Sequence, residues 1–112
     1  MREDCCPEVP ECCDMRGMLS FMILWLLTKR PMHGQQLAEE IAQRRGAKPS
    51  PGTIYPALKD LNERGLITGT KKGRTIVYGL TNQGKDGIER ACRYFCQAFG
   101  EIFEERRLVK ES

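Results

Sequence analysis

The stretch that most constrains the chain is residues 49–65, Pro-Ser-Pro-Gly-Thr-Ile-Tyr-Pro-Ala-Leu-Lys-Asp-Leu-Asn-Glu-Arg-Gly. Proline lacks an amide and fixes its own φ, so this segment can be helical only where those losses are tolerated. Ser50 is an N-cap candidate, with Pro51 at the favoured first helical position. Thr53 is a second possible cap, so the start falls between residues 50 and 54. Pro56 is then expected in the first turn, where its missing amide has no helical partner anyway. Gly65 is placed to stop the helix. Ile54, Leu58 and Leu61 fall at i, i+4 and i+7 and make one apolar stripe. Thr53, Tyr55, Lys59 and Asn62 make up the polar side. The segment reads as a short helix pinned along one side, with N-terminal amides suited to a phosphate.

The next fifteen or so residues fix the context. Leu66 to Lys71 alternates loosely as a strand, and Lys71-Lys72-Gly73-Arg74 is a basic turn. Thr75 to Leu80 is a return strand rich in β-branched residues. A helix succeeded by a hairpin with a Lys/Arg tip is the second half of a winged helix-turn-helix. Charge agrees with that reading. Residues 44–74 carry eight bases against Asp60 and Glu63, a net +6, although the whole chain is only +3. Residues 1–14 carry Arg2 against five acids, a net −4. A basic surround on one supersecondary unit is the footprint of a double-stranded DNA binder. Lys72 and Arg74 could instead guard an exposed strand edge. Beside a polar-faced helix, contact with the DNA backbone or minor groove is the expectation.

The rest of the chain supplies a core and a second helix pair. At 112 residues one domain is expected. Asp14 is a possible cap for a helix over Met15–Thr28, in which Met18, Leu19, Met22, Ile23, Leu26 and Leu27 recur at helical spacing. Phe21 and Trp25 widen its apolar band, so it should be covered on two sides, the second by a partner subunit. His33-Gly34 opens a helix to about Arg45, closed by Gly46. His33 is the single histidine and is read as a cap or packing residue. Thr81 caps a last helix running to about Arg107. Its Ile88, Cys92, Phe95, Phe99 and Ile102 keep an a/d spacing, which makes it a dimerisation helix. No apolar run approaches the roughly 18 residues of a membrane span. The longest, Met18–Leu27, is broken by Ser20 and has no cleavage pattern, so a cytoplasmic protein is expected. With no Ser/His/Asp set and no carboxylate pair, enzyme activity is not expected.

The expected fold is therefore mainly α with a small β-hairpin (α+β), a winged helix-turn-helix plus one C-terminal dimerisation helix. Its divisions are a cysteine-rich arm at 1–14, a winged helix at 15–80 and the last helix at 81–107. Several blocks then resemble the small-chain subgroup of the PadR family of winged-helix transcriptional regulators. They are Met32-His33-Gly34-Gln35-Gln36-Leu37, Pro49-Ser50-Pro51-Gly52-Thr53-Ile54-Tyr55-Pro56-Ala57-Leu58, Leu61 to Ile67, and Tyr78-Gly79-Leu80-Thr81-Asn82-Gln83-Gly84. The resemblance implies a homodimeric repressor whose helix 49–65 lies in the major groove. It implies that Ser50, Thr53, Tyr55 and Lys59 face DNA, with Tyr55 on a phosphate, and that Lys72 and Arg74 flank them. It also implies an effector near the dimer interface, where Trp25, Phe95 and Phe99 could line a pocket for an aromatic small molecule.

Six cysteines depart from that pattern. Cys5-Cys6 and Cys12-Cys13 flank a loop containing Pro7 and Pro10, and Cys92 and Cys96 stand one helical turn apart. In a reducing compartment such thiols point to a metal or to redox chemistry. Thiolates suit zinc, copper(I), arsenic(III) or an iron–sulfur cluster. Adjacent cysteines do not readily pair with each other, so any disulfide would join one pair to the other or the arm to the last helix. The spacing names no metal. Two functions are thus expected to compete: a DNA-binding regulator controlled by thiol chemistry, and a thiol-based metal-binding or redox protein on a winged-helix scaffold.

Overall fold

The computed structural model describes residues 15–106. The cysteine-rich arm at 1–14, with its cap candidate Asp14, and Arg107 lie outside the described residues. The elements are α1 (Met15–Leu27), β1 (Met32–His33), α2 (Gly34–Arg45), α3 (Pro51–Glu63), β2 (Ile67–Lys72), β3 (Thr75–Leu80) and α4 (Asn82–Arg106). This is the expected α+β winged helix, with one strand the sequence did not reveal. The antiparallel sheet has the order β1-β3-β2, and β1 pairs Met32 with Tyr78 and His33 with Val77. Two residues are too few to show a two-residue alternation, so only the long-range pairing defines β1.

α1 is the centre of the packing. It contacts α2, α3, α4 and β3. Leu19, Ile23 and Leu26 are fully buried against Met32, Leu37, Ile41, Ile54, Leu58, Leu61 and Ile67. Much of the second apolar side of α1 is thus covered by α4 of the same chain, which contacts it directly. The helix ends at Leu27, one residue earlier than its spacing suggests, where the Thr28 and Lys29 amides bond the carbonyls of Trp25 and Leu26.

Hydrogen-bonded caps close the start of α2 and the end of α3. His33 is the N-cap of α2: the Gln36 amide donates to its Nδ1 at 3.3 Å, and its own amide donates to Gln36 Oε1 at 3.0 Å. That is a reciprocal capping box, built with an imidazole as the acceptor. α3 ends in a Schellman turn. The Leu66 amide reaches back to the Leu61 carbonyl, the Gly65 amide to Asn62, and Gly65 holds φ 79°.

Candidate nucleic-acid interface

α3 starts at Pro51, with Ser50 at the cap position. That corrects the expected place of Pro56. It lies in the second turn, inside the helix, so the carbonyl of Gly52 loses the amide that would have bonded it. Two candidate caps compete in the sequence, and the earlier one wins. Nor does Ser50 cap through its side chain. Its hydroxyl faces the Thr53 hydroxyl at 3.2 Å, while its carbonyl accepts the amides of Thr53 and Ile54.

Ile54, Leu58 and Leu61 are buried, as their spacing requires. At 3.6 residues per turn, the positions opposite that stripe are Gly52, Pro56, Lys59 and Glu63. All four are exposed. Of the expected DNA-facing residues, only Lys59 sits on that outermost line. Tyr55 and Thr53 stand on opposite flanks, and Ser50 is exposed at the end. Sequence reasoning misses Gly52 and Pro56, because apolar spacing singles out what is buried and says less about which residue on the other side projects farthest.

Tyr55 is held by its neighbours. A side chain at Gly34 would meet the Tyr55 ring at 2.6 Å, so the first residue of α2 must be glycine for the ring to lie there. Tyr78 of β3 is also close: burial first, and the Tyr55 phenol second, push its pKa up from the usual 10.0. Gln35, Lys48, Ser50 and Tyr55 line one hollow where the N-termini of α2 and α3 converge. Tyr55 thus rests against the start of α2, with its ring over Gly34.

Charge on α3 is largely self-compensated. Lys59 pairs with Glu63 at 3.9 Å and Asp60 with Arg64 at 3.1 Å, both pairs well exposed. Among the described residues, Arg45, Lys48, Lys71, Lys72 and Arg74 take part in no ion pair. They supply the uncompensated positive charge around α3. The hairpin tip is a two-residue turn, Gly73-Arg74, between the paired Lys72 and Thr75. Gly73 has φ 65°, as a primed hairpin turn requires.

The remaining candidates lie on α1 and α4. Phe95 packs edge-on to Phe21 at 4.7 Å and stacks on Phe99 at 5.7 Å. Trp25 lies instead under Lys29 at 4.4 Å and Arg44 at 5.2 Å. No ring contact joins it to Phe95 or Phe99 among the described residues. Cys92 and Cys96 are free, exposed, and line one shallow hollow with Arg93 and Gln97. Among the described residues no group of three or more His, Cys, Asp or Glu could hold a metal, and no helix is long and apolar enough to cross a membrane. Cys5, Cys6, Cys12 and Cys13 lie outside the described residues.

This arrangement is shared with known proteins. TA0346 of Thermoplasma acidophilum superposes with a TM-score of 0.68 at 30% identity, covering 86% of this chain and 95% of that one. RosR of H. salinarum superposes with a TM-score of 0.67 at 28% identity, covering 72% and 74%. Transcriptional regulator YqjI of Escherichia coli is 37% identical over 76 residues, 65% of this chain and 37% of that protein. Transcriptional activator GvpE of Haloferax mediterranei is 31% identical over 70 residues, 62% of this chain. The chain spans between 24% and 37% of the length of these and other curated relatives it matches. The model of the transcriptional regulator PadR-like family matches residues 23–90. With more than half its length inside that match, the chain belongs to the PadR-like family of transcriptional regulators.

Proposed function

We propose that the protein is a dimeric, sequence-specific DNA-binding repressor. The observation that carries this reading is α3 itself. One side is fully buried, the other stands clear of the fold, and an uncompensated basic hairpin lies beside it. α3 enters the major groove, and Lys71, Lys72 and Arg74 lie along the phosphates. Tyr55, held against Gly34, takes a phosphate. The bare apolar stripe of α4 supports the dimer, because Phe99 and Ile102 lie beyond the cover that α1 gives to Phe95.

The test is equilibrium binding to the DNA upstream of its own coding region across a salt series. Affinity should fall steeply with salt. Lys72→Ala with Arg74→Ala should weaken binding on every sequence and lower the log–log salt slope by about 2. A flat salt response, or no retardation of any promoter fragment, overturns the reading. In a reporter strain, deletion should raise transcription from that promoter.

Control by thiol chemistry belongs to the same proposal. Cys92 and Cys96 are free, exposed and one turn apart on the helix proposed to pair. Together with Cys5, Cys6, Cys12 and Cys13 they offer soft donors for zinc, another thiophilic metal or an iron–sulfur cluster. Anaerobic purification should retain metal or colour. Replacing all six by serine should leave DNA binding intact but unresponsive to metal and oxidant. A six-serine protein that is still released normally sinks this part and leaves the DNA-reading part standing.

A further inference from the structure

The geometry points to Thr81 and Gly84 as positioning residues that weld the DNA-reading head to the dimer helix and so set which half-site spacing the protein accepts. This rests on the DNA-reading dimer proposed above. The weld begins where α3 stops. Beyond its Schellman turn, the Gly65 carbonyl accepts the Thr81 hydroxyl at 2.6 Å, and the Leu66 carbonyl accepts the Thr81 amide at 3.1 Å. The same hydroxyl accepts the amide of Gly84 at 3.0 Å, and the Thr81 carbonyl accepts the amide of Lys85 at 2.9 Å, so Thr81 is also the N-cap of α4. One side chain therefore closes the end of the DNA-reading helix and the start of α4 at once.

Gly84 makes the junction tight. A Cβ there would fall 2.0 Å from the Leu66 carbonyl oxygen and 3.0 Å from its carbon. That neighbour is backbone and cannot swing aside. Only glycine lets the first turn of α4 lie on the residue that comes after the α3 stop. The hairpin between them is closed at the same place by the Ile67–Leu80 pair. α3, the base of the basic hairpin and the first turn of α4 thus share one node, sixteen residues apart in sequence at its Thr81–Gly65 bond. Elsewhere α4 meets the head mainly through α1. If two copies pair along α4, the separation and tilt of the two α3 helices are set by this node together with the packing of α1 on α4.

The consequence is a spacing rule. DNA half-sites one helical turn apart present equivalent groove faces, and adding a base pair both lengthens and rotates the site. A stiff dimer rejects that change, and a loose one accommodates it. The experiment selects an inverted-repeat duplex from a random-sequence library with wild-type protein, then measures binding to versions with one or two base pairs inserted between the half-sites. Wild type should lose about tenfold or more per inserted base pair. Thr81→Val, which keeps shape but removes both hydroxyl bonds, should lose less than about threefold. Thr81→Ser, which restores the hydroxyl, should recover discrimination. Helical content and oligomeric mass are read on the same samples. If Thr81→Val does not fold, Thr81→Ala and Gly84→Ala are read in the same assay. Thr81→Val, Thr81→Ala and Gly84→Ala that discriminate spacing as sharply as wild type overturn the inference alone. So does wild type that binds all spacings equally. Wild type that retards no duplex overturns the DNA-reading proposal, and this inference with it.

Discussion

α3 and α4 are each built on a single apolar stripe, and they use it in opposite ways. In α3 the stripe is completed within the chain: Ile54, Leu58 and Leu61 are 2%, 0% and 1% exposed. In α4 the stripe starts buried, with Ile88 at 3%, alternates between exposed Cys92 and half-buried Phe95, and ends bare, with Phe99 41% and Ile102 52% exposed. Both helices are amphipathic, so the difference lies in length and neighbours. α3 has 13 residues, all over the core. α4 has 25, about 37 Å at helical rise, in a molecule whose shorter dimensions are 29 and 28 Å. It outruns the fold. A helix whose apolar side is finished internally offers its other side to a ligand. A helix whose apolar side is unfinished offers that side itself. Most of α1 and the first turns of α4 are covered within the chain, and the far half of the α4 stripe is not.

The strongest way to break this contrast is to cut both stripes. Leu58→Ala removes a fully buried side chain and should cost about 2–5 kcal/mol, read as a lower urea midpoint at constant slope. A loss below about 1 kcal/mol would mean α3 is not pinned as its burial indicates. Phe99→Ala with Ile102→Ala should behave otherwise. In a single chain, exposed changes like these stay within about 0.5 kcal/mol each. In a dimer they should turn a concentration-dependent unfolding midpoint into a concentration-independent one, and halve the mass seen by sedimentation. Equal masses for wild type and variant would remove the second half of the contrast.

The two helices are also unequally legible. The stripe of α3 can be read because its spacing, its stop at Gly65 and its cap region are local signals. Its exact start cannot, because Ser50 and Thr53 are both candidate caps, and the later one would put Pro56 in the first turn. The hairpin is legible from Thr75–Leu80 and its basic turn, but β1 is not, since it exists only through pairing with Val77 and Tyr78. Trp25, Phe95 and Phe99 share apolar character, and composition groups them. Packing separates them: Phe95 meets α1 at Phe21, one turn before Trp25, whose ring lies under Lys29 and Arg44. The node at Thr81 has a legible half, its role as a cap. Its bond to Gly65 joins residues sixteen positions apart and has no local signature.

A smaller effect sharpens the α3 side. Gly34→Ala places a methyl where the Tyr55 ring now lies. The ring is a mobile end, so it should swing out, at about 1 kcal/mol. Tyr55→Ala should relieve the clash. The double variant should therefore be more stable than the two single losses predict, by about 0.5 kcal/mol or more in a thermodynamic cycle. Strict additivity would show that Tyr55 does not rest on α2 in solution, and that its aim at DNA is not set there.

The smallest expected effect tests the same corner from the sheet. Burial, and then the nearby Tyr55 phenol, raise the pKa of Tyr78 from 10.0. The fold therefore favours the neutral phenol. Below the ordinary tyrosine value of about 10, both folded and unfolded chains hold the proton and the contribution to stability is complete. Above it the unfolded chain releases its proton first, so stability falls as the pH rises toward and through the raised value. Tyr78→Phe keeps the ring and removes the titration. The difference in unfolding midpoint between wild type and Tyr78→Phe should be constant up to about pH 10 and then move against wild type. Lysines that titrate in the same range cancel in that difference, since both proteins carry them. Tyr55→Phe should shrink the movement without abolishing it, because the phenol is the second cause and burial the first. A difference that stays flat through alkaline pH would mean that Tyr78 is as wet in the folded chain as in the unfolded one.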